Sequence, residues 1–365
     1  MRVLAVGSMF PPHDLGGGYE ITWRSSVEHL RARGDEVRVL TTDFRAPGVP
    51  DRPQPDVRRE LRWYWRDHDF PRLGRRARRD LERHNAGLLT EEIETFRPDA
   101  IAWWAMGGMS LALIAQAAAA GVPAIGVVGD YWMDYGPRVT NSSDVDVSAP
   151  LWLFNSEHTR RLSLENGLHL PRTRVVHPGI DHALFPAAPG REWDWRLLYV
   201  GRLDERKGVH VAVAALEHLP PQATLTVQGV GDPTYVESLR GERVAFTSEP
   251  RERLGDLYAA ADAVVFPVQW HEPWGLVPLE AMAVGRPVVA TGTGGSAEYL
   301  RHEQNCLIYS PAESPRALAD AVERLAHDAP LRERLRANGF QTAEPFTEQA
   351  YNRAIAAALD EVVAA

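Results

Sequence analysis

Short apolar runs recur along the chain, and most are followed by a stretch whose apolar positions fall three and four apart. Residues 2–7 (RVLAVG) have the length of a buried strand and close on Gly7. In 19–34, Ile21, Trp23, Val27 and Leu30 share one helical face, and Gly34 ends the helix. Residues 36–42 are the next strand, and 46–60, rich in proline and mixed charge, read as a loop. A short strand and a solvated helix follow over 58–84. After Pro98-Asp99 the alternation resumes: a strand to 105, a helix over 107–120, a strand at 122–130, a strand at 150–156 running into a helix, and a strand at 174–181. It restarts at 196–202. A helix over 207–218 follows, then strands at 223–229 and 243–248 with helices near 233–240 and 251–261, and a strand at 305–311 before two helices over 314–341. The last helix, 347–364, places Ala350, Ala354, Ala357, Ala358 and Val362 on its apolar face.

Strands alternating with helices predict α/β architecture, with doubly wound parallel sheets. A chain of 365 residues exceeds one ordinary core. We expect two Rossmann-like domains, 1–180 and 190–344, joined by a linker over 178–194 that holds Pro178, Pro186 and Pro189. Composition changes little: 44% hydrophobic and 24% charged residues are ordinary for a globular protein. A formal charge of −9 argues against nucleic acid as partner. The one cysteine, Cys306, rules out a disulfide framework and a paired-thiol zinc site. The first apolar run is too short for a signal peptide, and nothing approaches the ~20 apolar residues of a membrane span, so a cytoplasmic location is expected.

The most informative stretch is 262–299. A strand (263–267) ends at Pro267. The loop QWHEPW follows, then a helix from near Gly275 to Gly285, a second strand (287–290), and a Gly-rich loop. The first loop therefore sits at the carboxyl edge of a parallel sheet, where open α/β folds bind ligands. Glu272 precedes the helix and Glu280 lies in its second turn. Between them the free amides of Gly275, Leu276 and Val277 form an anion site, and Pro278 is tolerated because first-turn amides lack internal partners. A lone glutamate on a helix is ordinarily a solvated residue. Here it belongs to the series carboxylate, amide cradle, carboxylate, which suits a phosphorylated sugar.

Glu272-x7-Glu280, followed by Ala281-Met282-Ala283, Gly285, Pro287-Val288-Val289-Ala290, Gly294-Gly295 and Glu298, resembles the signature of retaining family-4 glycosyltransferases of the GT-B fold, the glycosyl transferases of group 1. The resemblance is strong over about 196–310 and in the first 45 or so residues, and thin over 46–95. It implies two Rossmann-like domains facing across a cleft, with a final helix, about 345–365, returning to the first. It implies a nucleotide-sugar donor on the second domain, a UDP-, GDP- or TDP-sugar, and an acceptor on the first. No other cofactor and no metal would be needed. Glu272 would face the donor sugar, and Glu280 would hold the ribose hydroxyls.

Arg202 ends a strand and Lys207 follows five residues later, so two cations can clamp a pyrophosphate, one forked and one a point charge. Such cations stabilise the charge that builds on a leaving phosphate, which is the role the resemblance implies for them. Donor binding is further expected at Gly16, Gly17, Gly201, Gly229, Arg251, Trp274, Gly275, Leu276 and Val277. Gly16 to Gly18 let backbone approach a ligand, though the spacing is not that of a nicotinamide fingerprint. His13 and Asp14, in the same loop, are candidate acceptor contacts. Where the family often has His-Asp, this chain has Gly129-Asp130, so Asp130 alone is carried as a candidate catalytic contact. The Arg- and Trp-rich segment 58–84 suits a sugar ring, a phosphorylated acceptor or a peripheral membrane contact. Asp67-His68-Asp69 and Asp144-Val145-Asp146 have the form of a metal triplet, but 49 acidic residues make such triplets common. Alternatives to transfer are a nucleotide-sugar epimerase of similar fold and a non-catalytic nucleotide-sugar binder. The sequence leaves base, sugar, acceptor and oligomeric state open.

Overall fold

The computed structural model describes every residue except 66–68. The chain forms two compact units, Met1–His177 with Tyr351–Ala365, and Pro178–Ala350. In the first, strands β1 (Arg2–Gly7), β2 (Glu36–Thr42), β3 (Val57–Leu61), β4 (Ala100–Trp103), β5 (Ala124–Val128), β6 (Leu151–Phe154) and β7 (Thr173–Val175) form a parallel sheet in the order β3-β2-β1-β4-β5-β6-β7. In the second, β8 (Arg196–Val200), β9 (Thr224–Gln228), β10 (Val244–Thr247), β11 (Ala263–Phe266), β12 (Val288–Ala290) and β13 (Leu307–Ile308) are parallel in the order β10-β9-β8-β11-β12-β13. The helices are α1 (Gly18–Ala32), α2 (Arg75–Thr95), α3 (Ala112–Ala119), α4 (Trp132–Thr140), α5 (Glu157–Glu165), α6 (Val209–Ala215), α7 (Pro233–Ser238), α8 (Leu254–Ala260), α9 (Val277–Val284), α10 (Pro315–His327), α11 (Ala329–Ala343) and α12 (Glu348–Ala364).

Both sheets are covered on both faces, which is why their strands read as continuous apolar runs. In β1, Val3 and Ala5 pack with Trp23 and Val27 of α1 and with Ile355 and Leu359 of α12. Leu4 and Val6, pointing the other way, pack with Leu89 of α2 and Ile114 of α3. Helix α12 is also fixed by a buried polar contact. Asn352 donates to Ser25 Oγ at 2.7 Å and accepts from Ser26 Oγ at 2.7 Å. In the second unit, Leu197, Tyr199, Ala263 and Val265 face one layer, and Leu198, Val264 and Phe266 the other. Helix α9 is buried from Pro278 to Val284, so its sequence is apolar nearly all round, and Gly339 of α11 lets that helix lie close over Met282.

The structure differs from the expectations or adds to them at four places. The short strand expected at the head of 58–84 is an edge strand that takes in the end of the expected 46–60 loop, paired with β2 from Val39↔Val57 to Thr42↔Leu61. The helix expected from 107 begins at Ala112 because Gly108 is left-handed at φ 80°. Helix α4 was not expected, since Gly136 and Pro137 lie inside it. The linker is packed: Ile180 and Phe185 are buried in the second unit's core, and Arg286 donates to Pro189 O at 3.1 Å. Among the described residues no helix is long and apolar enough to cross a membrane.

Candidate active site

In the second unit β9 lies on one side of β8 and β11 on the other. The sheet order therefore reverses at β8, which opens a crevice at the carboxyl ends of β8 and β11. The loops leaving those ends, 201–208 and 267–276, come into contact at Gly208. That residue is left-handed (φ 72°), and a Cβ on it would lie 1.8 Å from the Pro267 carbonyl oxygen, so only glycine fits.

This approach brings Lys207 onto Glu272, with Nζ 2.7 Å from Oε2. Trp270 Nε1 donates to the same oxygen at 2.9 Å. The Trp270 ring also faces the Arg206 guanidinium and the Lys207 ammonium, 5.0 and 5.2 Å from its centroid. Asp204 organises the cations. Its Oδ1 accepts from Lys207 N at 3.0 Å, capping a short turn, and its Oδ2 lies 3.6 Å from Arg202. The Tyr199 hydroxyl donates to Arg202 O at 2.8 Å. Burial pushes the pKa of that hydroxyl well up, so it stays a neutral donor. On the far side, Gly295 N donates to Glu272 O at 2.7 Å.

Glu272 stands at the mouth of α9, where a side chain on Gly275 would meet its Cγ. Leu276 offers no side-chain cap, which leaves the first-turn amides of α9 to a ligand. Glu280 is buried behind them, 7% exposed, and accepts from Tyr258 Oη at 2.6 Å. Burial raises its carboxyl pKa, while the Tyr258 hydroxyl and the charge of Arg251 oppose that rise. Arg251 pairs with Glu348 at 3.2 Å. Gly201 and Gly229 lie back to back at the ends of β8 and β9. The Trp274 side chain turns inward. Its indole is 3% exposed, donates to Pro178 O at 3.0 Å and packs on Tyr299 and Phe346, so only its backbone stands at the helix mouth.

Two family models match the chain. Glycosyltransferase Family 4 covers residues 16–184, and Glycosyl transferases group 1 covers 184–342. The chain belongs to glycosyltransferase family 4. Among its relatives, D-inositol 3-phosphate glycosyltransferase of Xylanimonas cellulosilytica is 36% identical over 258 residues, 64% of this chain and 61% of that protein. Glycogen synthase of Mycobacterium tuberculosis is 36% identical over 207 residues, 51% and 49% of the two chains. The chain thus matches about half to three fifths of the length of these relatives. Its fold is that of the GT-B enzymes. Sucrose-phosphate synthase from Thermosynechococcus elongatus superposes over 100% of this chain and 99% of that one, with a TM-score of 0.78 at 22% identity. Anabaena HepE, in a crystal structure with UDP and glucose, gives 0.76 at 20% identity over 99% of each chain.

The first unit of this family-4 glycosyltransferase carries the other predicted residues. Gly16 is left-handed and its amide donates to Asp14 Oδ1 at 2.6 Å; Gly17 is the N-cap of α1. Burial raises the Asp14 carboxyl pKa. His13 is 1% exposed, with Nε2 3.4 Å from Asp51. Arg59 pins the loop by donating to Phe10 O and Pro11 O at 2.7 and 2.9 Å, and burial lowers its pKa to about 10. Asp130 Oδ1 accepts from Trp132 N at 2.8 Å and so starts α4. The absent histidine has a physical counterpart: a Cβ on Gly129 would lie 2.5 Å from the Tyr19 ring, so Tyr19 fills that space. Asp146 accepts from Ser148 N at 2.9 Å within a turn, while Asp67 and His68 of the other triplet lie outside the described residues. Among the described residues no three side chains are grouped to hold a metal.

Asp204, Tyr199 and Tyr258 escaped the sequence reading. Asp204 alone carried a signal, an acidic residue just ahead of a turn. The tyrosines act from strand and helix interiors, where nothing in the sequence sets them apart from core.

Proposed function

We propose that the protein transfers a sugar, with retention and without a metal, from a nucleoside-diphosphate sugar to an acceptor hydroxyl. The observation that carries the reading is Lys207 Nζ at 2.7 Å from Glu272 Oε2, at the mouth of a helix with uncapped amides. A diphosphate would seat on those amides, with Lys207 and Arg202 on its oxygens and Glu280 on the ribose hydroxyls. Glu272, released from Lys207, would accept from the donor sugar's hydroxyls. The bond between C1 and the phosphate oxygen breaks, and the electron pair leaves on that phosphate, where fixed cations and amides stabilise it more than in the ground state. The acceptor oxygen bonds C1 on the same face, and its proton passes to the leaving phosphate. No general-base side chain is required.

UDP-glucose is the first donor to try, given the ligands of HepE. The test is to incubate the protein with UDP-, GDP-, TDP- and ADP-glucose in excess EDTA, with and without candidate acceptors, and follow the anomeric proton by NMR. A product with the donor's anomeric configuration supports the reading. An epimer formed without acceptor, or loss of transfer with EDTA, refutes it. Nucleotide binding with no turnover of any donor would instead favour the non-catalytic reading, toward which Gly129 leans.

A further inference from the structure

The carboxyl edge of the first sheet carries a pocket built largely from the Arg- and Trp-rich segment, for which a sugar ring, a phosphorylated acceptor and a membrane contact all stand open. It lies where β2 and β3 end, beside the start of α2, and encloses about 420 Å³. Asp43 follows β2; Arg62, Trp63 and Trp65 follow β3; Leu73 and Asp80 come from the approach to α2 and its second turn. This is the edge at which open α/β sheets take ligands, and small-molecule sites run to roughly 300–1,000 Å³.

The pocket is built rather than incidental. The Trp63 and Trp65 rings are 4.8 Å apart, tilted by 41°, and Phe44 stands edge-on to each at 5.8 Å. Buried Asn85 holds Arg62 by both backbone groups, accepting from N at 2.8 Å and donating to O at 2.6 Å. Two residues on, Tyr64 N donates to Gly108 O at 2.7 Å. The half-buried indole of Trp63 is therefore presented from a fixed backbone. Among the described residues the Arg62 guanidinium and the Asp43 carboxylate make no ion pair or side-chain hydrogen bond, so both are left for a ligand. Asp80 is only loosely engaged, at 3.9 Å from Arg76 and 3.6 Å from Arg83.

We propose that this pocket binds a neutral, unphosphorylated carbohydrate ring, the acceptor of the transfer. The C–H face of a sugar ring is attracted to the negative face of an indole. Its hydroxyls donate to the Asp43 carboxylate and accept from the Arg62 guanidinium. The Asp43 carboxylate, paired with no cation among the described residues, repels a phosphate set beside it and so disfavours a phosphorylated ring. The acceptor role rests on the transfer reading above, whereas the carbohydrate binding does not.

The test uses the full chain without nucleotide sugar. Saturation-transfer NMR and tryptophan fluorescence are followed with methyl α-D-glucopyranoside and maltotriose as neutral probes, against glucose 6-phosphate. The neutral probes should bind, and Trp63→Ala should weaken them about tenfold, the loss of one stacked aromatic contact. UDP affinity should stay within about twofold, measured separately. Because Trp63→Ala can loosen the ring cluster, Asp43→Asn at an exposed side chain repeats the test, with a loss of about fivefold expected. Tighter binding of glucose 6-phosphate than of methyl glucoside overturns the neutral assignment. UDP binding with no carbohydrate binding, or carbohydrate binding indifferent to both variants, overturns the pocket. Carbohydrate binding lost in the variants, in a protein that transfers from no donor, upholds the pocket and refutes the transfer reading instead.

Discussion

Replacing Lys207 with alanine separates a phosphate clamp from a structural ion pair. Its ammonium lies 2.7 Å from the Glu272 carboxylate, with the two side chains 18% and 10% exposed. A charge-assisted bond to phosphate is worth about 1.5–3 kcal/mol net. Binding must first open the existing pair, but Glu272 keeps its bond from Trp270 Nε1 at 2.9 Å, so part of that cost is returned. We therefore expect the lower end of the range, about tenfold weaker UDP binding. Uridine, which has no phosphate, should bind Lys207→Ala and wild type within about twofold. Isothermal titration with both ligands measures this. Thermal melting checks the fold, where the uncompensated Glu272 should cost about 1–2 kcal/mol. Equal weakening of UDP and uridine, or unchanged UDP affinity, would take Lys207 out of the phosphate site.

Glu280→Gln should behave differently. Burial raises the native carboxyl pKa above its ordinary 4.5, so the folded state binds that proton more tightly than the unfolded one. The stability it contributes is full below about pH 4.5 and is lost as pH rises through the native value. Glutamine keeps an acceptor for Tyr258 and lacks this loss, so its melting temperature should gain on wild type as pH rises. Its affinity for UDP should fall about tenfold or more. Parallel melting curves across that range would refute the burial argument. Gly208→Ala should lower stability by about 3 kcal/mol or more, because a left-handed residue is strained and its Cβ would meet the Pro267 carbonyl; a melting temperature within 2 °C or so of wild type would contradict the loop contact. Asp130→Ala should cost about 1 kcal/mol through the lost bond from Trp132 N, and Asp130→Asn much less. If both variants lose transfer alike, Asp130 acts on a substrate rather than only starting α4.

Much of the second unit was legible because one apolar run, one glycine stop and a second run mark β11, α9 and β12 without ambiguity. The same logic placed only part of β3, an edge strand whose Arg58 and Arg59 point into ion pairs and loop carbonyls rather than a core. It failed at α4, where Gly136 and Pro137 argue against the helix that tertiary packing of Trp132 and Met133 imposes. The residue types at the candidate site were readable, but their pairing was not. Lys207 and Glu272 are 65 positions apart and meet only because two parallel strands end side by side. The inward turn of Trp274 was equally hidden: a tryptophan close to a glutamate in a loop gives no sign of which of them is buried.

The ion pair at the strand edge also bears on how ionic strength acts. Seating a diphosphate on Lys207 exchanges one anionic partner for another instead of bringing a bare cation and anion together from water. Added salt screens the bond being broken as well as the bond being made. Affinity for the nucleotide should therefore fall with salt less steeply than a tally of basic side chains implies, and Glu272→Gln, which leaves the ammonium unoccupied beforehand, should steepen that slope.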